Sequence, residues 1–317
     1  MTIAAYIRDI GRGRDGARSL DVGRAHDLMS QLLDGQLSDL EIGAFVLAMR
    51  MKGETADELL GFGRALHERL NLVSSDRPVI VIPSYNGARR LPNLVPLLAM
   101  RLAQEGARVL VHGQRLDAGR VTSCEIFQAL GLAAVERIDS VQERWQRNEP
   151  AFIATDVLCP ALQRLLEVRR VVGVRNSGHT IAKLMQPVSG AAGLRLASYT
   201  HPEFGKLMTA LAERSGADMM LLRGTEGEAV ADPRRMPALT TWLGGIAQPD
   251  LGCPAQEGTI AELPLLPRQI DAATVAVYIQ GAVAGEQPVP APLERQVALL
   301  LRALARLAGG AQQVKRA

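Results

Sequence analysis

Hydrophobic positions at the start of the chain recur at helical spacing. Ala25, Leu28, Met29, Leu32 and Leu33 form one stripe, with Gly35 behind it as a stop. Ser38 and Glu41 make a capping-box pattern ahead of Ile42, Phe45, Val46 and Met49, and Gly53 ends that run. Thr55 and Glu58 repeat the device before Leu59, Phe62 and Leu66. The spacing predicts short amphipathic helices in a small helical domain over residues 1–73.

From Pro78 the period changes. PVIVI (78–82) is a continuous apolar run of strand length, with a turn-forming PSYNG behind it. A helix is expected over roughly 93–105, closed by Gly106, then a strand in ARVLV (107–111) and a helix over 122–130 ending at Gly131. AFIAT (151–155) reads as a weaker strand, followed by helices near 157–167 and 177–186. LRLASY (194–199), a helix over 202–215 and MMLLR (219–223) continue the alternation. Strands alternating with helices predict an α/β domain over 76–317 with a mostly parallel central sheet. The stretch 232–267 is rich in Pro and Gly and reads as irregular strands and loops. Helices near 271–284 and 291–308 finish the chain, and the tail AQQVKRA is expected to fray.

Composition narrows the class. Across 317 residues, hydrophobic types make up 47 % and charged types 22 %, the usage of a folded chain rather than a disordered one. No apolar run approaches the roughly 20 residues of a membrane helix, and MTIAAYIRDI lacks the basic-then-apolar layout of a secretory leader, so a cytoplasmic protein is expected. Cys124, Cys159 and Cys253 lie far apart and make neither a disulfide framework nor a metal pattern. Net charge is only +3, but lysine occurs at 52, 183, 206 and 315 alone, so arginine carries nearly all the positive charge. Codon bias would produce this, and so would selection for the guanidinium fork that grips phosphates. Any anion-binding surface must come from clustering.

Four segments carry candidate chemistry. Gly11, Gly13 and Gly16 satisfy G-x-G-x-x-G, but a helix-like segment precedes them where a dinucleotide site needs a strand. The same segment holds Arg12, Arg14, Arg18 and Arg24, which reads as a solvated loop or as an arm following a phosphate backbone. PSYNGARR (83–90) follows a strand, where open α/β sheets bind ligands, and brings Arg89 and Arg90. VHGQR (111–115) ends the next strand and would turn His112 and Arg115 to the same crevice. VRNSGHTIAKLM (174–185) sets Arg175, His179 and Lys183 at i, i+4 and i+8, along one stripe if helical, with Arg164, Arg169 and Arg170 just before. RGTEGEAVAD (223–232) offers Glu226 and Glu228, either a polar turn or two carboxylates for Mg2+.

LMSQLLDGQLSDLEIGAFVLAMRMKGETADELLGF resembles the N-terminal helical region of anthranilate phosphoribosyltransferases, most specifically through IGAFVLAMRMKGET (42–55). The order of later segments is similar too, through VHGQR, GVRN and the EGE loop, so the resemblance covers nearly the whole chain. It implies a small helical domain completed by a mid-chain segment of roughly 160–188, a larger α/β domain, and a homodimer through the helical domains.

The resemblance also implies substrate motifs that this chain has altered. Where the family carries a Gly-Thr-Gly-Gly-Asp loop around the pyrophosphate of phosphoribosyl pyrophosphate, Pro83, Ser84, Tyr85, Asn86 and Gly87 stand. The Asn-x-Ser-Thr cradle becomes Asn93, Leu94, Val95, Pro96, and both hydroxyls are gone. Lys-His-Gly-Asn-Arg becomes Val111, His112, Gly113, Gln114, Arg115, and the following paired serines fall on Ala118 and Gly119. The magnesium-anchoring Asp-Glu pair becomes Glu226-Gly-Glu228. Ser84, Asn86, Gly87, Asn93, His112, Gly113 and Arg175 are thus the residual phosphoribosyl-site positions. Losing one preorganised donor typically costs about 10²–10³ in rate, and several are missing.

The pattern resembles the divergent YbiB-like branch of the family, which is associated with sequence-tolerant nucleic-acid binding. The expectation is therefore a dimeric DNA- or RNA-binding protein without a cofactor, its phosphates met by Arg12, Arg14, Arg18, Arg89, Arg90, Arg115, Arg170, Arg175 and Lys183. Aromatics make up only 3 %, which leaves few residues, such as Tyr85, to stack on bases. The alternative is a phosphoribosyltransferase with an altered substrate, using Mg2+ at Glu226 and Glu228. A scaffold that binds only protein is a third reading.

Overall fold

The local signals at helix starts are realised as hydrogen bonds. In the computed structural model, which describes residues 2–13 and 15–314 with side chains as far as Gly310, the Ser38 and Thr55 side chains accept from the Glu41 and Glu58 amides, and each glutamate reaches back to its cap. Arg14 and the last three tail residues lie outside the described residues.

In chain order the elements begin with α1 (Ile3–Ile10), α2 (Val22–Leu33), α3 (Asp39–Lys52) and α4 (Ala56–His67). Next come β1 (Val73–Ser74), β2 (Val79–Ser84), α5 (Val95–Gln104), β3 (Arg108–Gly113), α6 (Ser123–Ala129), α7 (Ser140–Gln146) and β4 (Ala151–Ala154). Then follow α8 (Thr155–Leu158), α9 (Pro160–Val172), α10 (Ser177–Ala182), β5 (Val188–Ser189), β6 (Gly193–Tyr199), α11 (Pro202–Ser215) and β7 (Met219–Arg223). The chain closes with β8 (Leu239–Leu243), β9 (Ile246–Ala247), α12 (Ala272–Ala284) and α13 (Ala291–Val314).

Two units result. The helical unit comprises Met1–Asn71 and Thr155–Pro187. Its mid-chain segment is tied in by the Asn71 N–H donating to the Leu158 carbonyl at 2.8 Å, and by the Ser177 hydroxyl donating to Glu54 at 2.7 Å. Helices α2 and α4 lie so close that a Cβ on Gly61 would sit 2.4 Å from the Val22 carbonyl oxygen, which is why glycine stands there. Phe45 and Phe62 meet edge to face in the core, with ring centroids 6.1 Å apart.

The second unit comprises Leu72–Ala154 and Val188–Ala317. Its seven-stranded sheet has the order β4-β3-β2-β6-β7-β8-β9, parallel through β7 and antiparallel after it. β2 and β3 are apolar on both faces because the sheet is covered on both sides. Ile80, Ile82, Val109 and Val111 pack with Leu98, Phe127, Ile279 and Leu300 from the covering helices. The small helical unit and mostly parallel α/β unit are the architecture the sequence pattern predicts.

Several elements differ from expectation: α7 and the small two-stranded β1–β5 sheet stand where the sequence pattern predicts none. The strands expected in the 232–267 stretch are β8 and β9, more regular than the pattern suggests: they form a hairpin through Gly244 and Gly245, whose φ values of 57° and 77° suit a tight hairpin turn. The helix expected over 177–186 stops at Ala182, because Lys183 already has cap geometry.

Candidate functional site

β2, β3, β6 and β7 run parallel, so Ser84, Gly113, Tyr199 and Arg223 share the C-terminal edge of the sheet. The loops after β2 and β7 meet there. Pro83 lies beyond the last β2–β6 pair, Val81 with Arg195, where pairing on that side has ended. After it, Gly87 takes φ 65° and the chain folds over so that its amides converge.

Those amides are filled from within the protein. The Asn86 and Gly87 N–H groups donate to Glu228 Oε1 at 2.7 and 2.6 Å. The Arg89 N–H donates to Glu226 Oε2 at 2.7 Å, and the Arg90 N–H donates to both Glu226 oxygens at 3.1 and 3.2 Å. Ala88, between the pairs, exchanges backbone hydrogen bonds with Val121. Successive N–H groups aimed at one point form an anion-binding nest, and charge-assisted bonds to a carboxylate are the strong kind. Glu226 holds a left-handed φ of 52° to reach its place, and Gly227 is required because a Cβ there would lie 2.1 Å from Asn86 Nδ2. Glu228 is buried, while Glu226 stays partly exposed at the rim.

The residues beneath are spent on one another. Ser84 Oγ lies 2.7 Å from Ser123 Oγ, to which Asn93 Nδ2 also donates at 3.0 Å. Asn93 Oδ1 accepts from the Val95 N–H at the start of α5. Tyr85 is buried with its hydroxyl 3.0 Å from His112 Nδ1, so it stacks on no base, contrary to expectation. His112 is wholly buried instead of turned to a crevice, and burial, with the nearby Arg195 charge, pushes its imidazole down to about 3. Gly113 packs against the Ser84 carbonyl.

The basic residues separate into exposed and paired groups. Arg89 and Arg90 are exposed on the same loop whose amides the glutamates fill. Arg115 makes a bidentate pair with Glu136 at 2.8 and 2.7 Å. In the helical unit Arg12 and Arg18 are exposed, and Arg170 pairs with Glu167 at 2.7 Å. The stripe expected from Arg175, His179 and Lys183 does not form. Asn176 starts α10 by capping it, which leaves Arg175 ahead of the helix and Lys183 at its end. His179 is pushed down to about 4 by burial and by the Arg175 charge.

The Mg2+ reading fits this geometry poorly. Glu226 and Glu228 face N–H donors, where an anion belongs, and a cation would meet the positive ends of the same dipoles. Asp232 from the same segment pairs with Arg234 at 3.0 Å. Among the described residues no group of three or more His, Cys, Asp or Glu is placed to hold a metal. No described helix is long and apolar enough to cross a membrane. The bridge from Glu226 and Glu228 to the 86–90 amides is the feature sequence reasoning missed. The only signal for it was that both loops follow parallel strands and so open on one edge.

Residues 4–70 match the helical bundle domain of a glycosyl transferase family. The YbiB protein of Escherichia coli (strain K12) is 36 % identical over 304 residues, which covers 95 % of this chain and 94 % of that one. The anthranilate phosphoribosyltransferase of Persephonella marina is 29 % identical over 61 % of this chain, and the match spans 56 % of the enzyme. The crystal structure of anthranilate phosphoribosyltransferase from Thermus thermophilus superposes with a TM-score of 0.71 at 23 % identity, covering 97 % of this chain and 89 % of that one, a likeness of fold.

Proposed function

The chain belongs to the anthranilate phosphoribosyltransferase-like family, on its YbiB branch, and from that premise we propose that it is a sequence-tolerant nucleic-acid-binding protein on a phosphoribosyltransferase-like scaffold. One observation carries the reading. The amides of the loop after β2 are satisfied by Glu226 and Glu228, while the Arg89 and Arg90 side chains on that loop are exposed. A small diphosphate needs those amides and a metal. A polymer of phosphodiesters needs only a run of accessible guanidinium groups. Arg89 and Arg90 supply them on the α/β unit, and Arg12 and Arg18 on the helical unit. With Arg115 and Arg170 already paired, these four carry the main share, and Arg175 and Lys183 contribute from the ends of α10. The sequence carries no motif of a known base-reading helix, so binding is expected to be mainly electrostatic.

Fluorescence anisotropy across a salt series, with single- and double-stranded DNA and RNA, tests the proposal. With about six phosphate contacts, log K against log salt falls with a slope near −4 for single strands. Arg89→Glu with Arg90→Glu is expected to weaken binding more than tenfold and flatten the slope. A slope near zero, or one that this double variant leaves unchanged, would refute the reading. Tight Mg2+-dependent binding of phosphoribosyl pyrophosphate in a calorimeter would favour the transferase instead.

A further inference from the structure

We propose that Glu226 is a built-in competitor for a phosphate seat formed by the Arg89 and Arg90 amides. The inference rests on the nucleic-acid reading and names how that site is gated. The carboxylate places two oxygens against two adjacent N–H groups, at 2.7 Å for Arg89 and at 3.1 and 3.2 Å for Arg90. The two oxygens of a phosphodiester carry the same charge and offer the same acceptors. They could be met in addition by the side chains of Arg89 and Arg90, which are exposed on the same loop.

The two glutamates are not equivalent. Glu228 is buried and locks the turn at Asn86 and Gly87. Glu226 sits at the rim, and its hydrogen bonds are solvent-exposed. It also carries a left-handed φ of 52°, a strained setting for a side chain that is not glycine. Exchanging one rim anion for another conserves the number of hydrogen bonds, so a strand of phosphates displaces Glu226 at little net cost. Until then the carboxylate occupies the two amides and keeps a lone small phosphate out of them. The seat therefore favours a polyanion, whose neighbouring phosphates are anchored elsewhere, over a single ion.

The test uses the full chain labelled with 15N-arginine and compares wild type, Glu226→Gly and Glu226→Gln. Glycine suits the positive φ and removes the carboxylate. Glutamine keeps the shape and an acceptor oxygen while losing the charge. Inorganic phosphate and a single-stranded oligothymidylate are the probes, and spectra of Arg89→Lys and Arg90→Lys assign the two amides. In Glu226→Gly both amide signals are expected to shift and saturate at phosphate concentrations at least tenfold below those needed in wild type. Oligonucleotide affinity should rise about fivefold with a salt slope steeper by roughly 0.7, one added single-strand contact. Glu226→Gln should give a smaller gain. Equal gains for Gln and Gly would assign the effect to charge alone and overturn the proposal, as would amides that ignore phosphate in Glu226→Gly. If no variant binds the oligonucleotide while those amides still take phosphate, the seat stands and the nucleic-acid reading falls. Should Glu226→Gly not fold, Glu226→Asn replaces it, since asparagine tolerates a left-handed φ and is too short to reach the amides.

Discussion

The Tyr85 hydroxyl and His112 Nδ1 lie 3.0 Å apart in the interior of the α/β unit, their rings edge to face with centroids 5.5 Å apart. The imidazole is wholly buried, and desolvation, with the Arg195 charge, pushes it down to about 3. The pair thus requires a neutral histidine. In the unfolded chain the same group titrates near its ordinary value of 6.5. Above that pH both states are neutral and His112 has no effect on stability. Below it the unfolded state binds a proton that the folded state refuses, so stability falls by up to ~1.4 kcal/mol per pH unit until about pH 3. His179, pushed down to about 4, adds a smaller share because it is part-exposed. Urea melts at pH 7, 6, 5 and 4 are expected to show this decline, and His112→Gln should flatten it. Equal slopes in variant and wild type would contradict the assignment.

In the helical unit the Lys52 ammonium lies 2.7 Å from Glu58 Oε2, with side chains 7 % and 0 % exposed. Glu58 also accepts from the Leu20 N–H at 3.0 Å and the Thr55 N–H at 2.9 Å, so one carboxylate joins the cap of α4, the end of α3 and the chain before α2. Breaking a buried pair from one side strands the other charge and costs about 3–5 kcal/mol. Lys52→Met should lower stability by that order in denaturant titrations. Glu58→Leu added to it should restore only part, because the Leu20 and Thr55 amides then lose their acceptor. Full restoration would show that the pair acts by charge alone.

Gly113 closes the end of β3 against β2. A Cβ there would stand 1.9 Å from the Ser84 carbonyl oxygen, whereas one at Gly119 would meet nothing within 4 Å. Gly113→Ala must push the two strand ends apart, which is expected to destabilise by about 2–3 kcal/mol. Gly119→Ala should stay within ~0.5 kcal/mol of wild type. Thermal melts of the two variants give the comparison, and an unaffected Gly113→Ala would mean that the strand ends part freely.

How far the sequence could be read depends on how local each determinant is. Ser38 with Glu41 and Thr55 with Glu58 lie three residues apart, and both capping boxes form as the pattern predicts. The apolar runs of β2 and β3 likewise declare a sheet covered on both faces. Glu226 and Glu228 act on amides 136 to 142 positions away, and no local pattern encodes that meeting. Tyr85 is a candidate stacking surface in the sequence only because aromatics are few, but its ring is buried and its hydroxyl meets His112. The Arg175, His179 and Lys183 stripe failed because Asn176 accepts from the Gly178 N–H and starts a new, short helix after Arg175. Spacing alone does not reveal where a helix begins.

Helix α3 is apolar on two sides. Phe45, Val46 and Met49 face inward and are buried, yet Leu40, Leu47 and Met51 are 84 %, 51 % and 72 % exposed. Leu40, Ala44, Leu47 and Met51 are spaced by four, three and four, the rhythm of one stripe facing a partner helix. Gly43 beside them has nothing within 4 Å of a Cβ position, which leaves room for close approach. A contiguous apolar stripe of this kind on a monomer would be a liability, and a two-fold pairing of the same surface in a second copy removes it. A homodimer through the helical unit, as the family resemblance implies, would use α3. Leu47→Glu with Met51→Glu should convert it to a monomer in light scattering coupled to size exclusion, with helical content unchanged because neither residue is part of the core. A dimeric mass in that variant would exclude the α3 face. Loss of dimer should also weaken polynucleotide binding more than tenfold through lost avidity, while a short oligonucleotide that reaches only one protomer keeps its affinity.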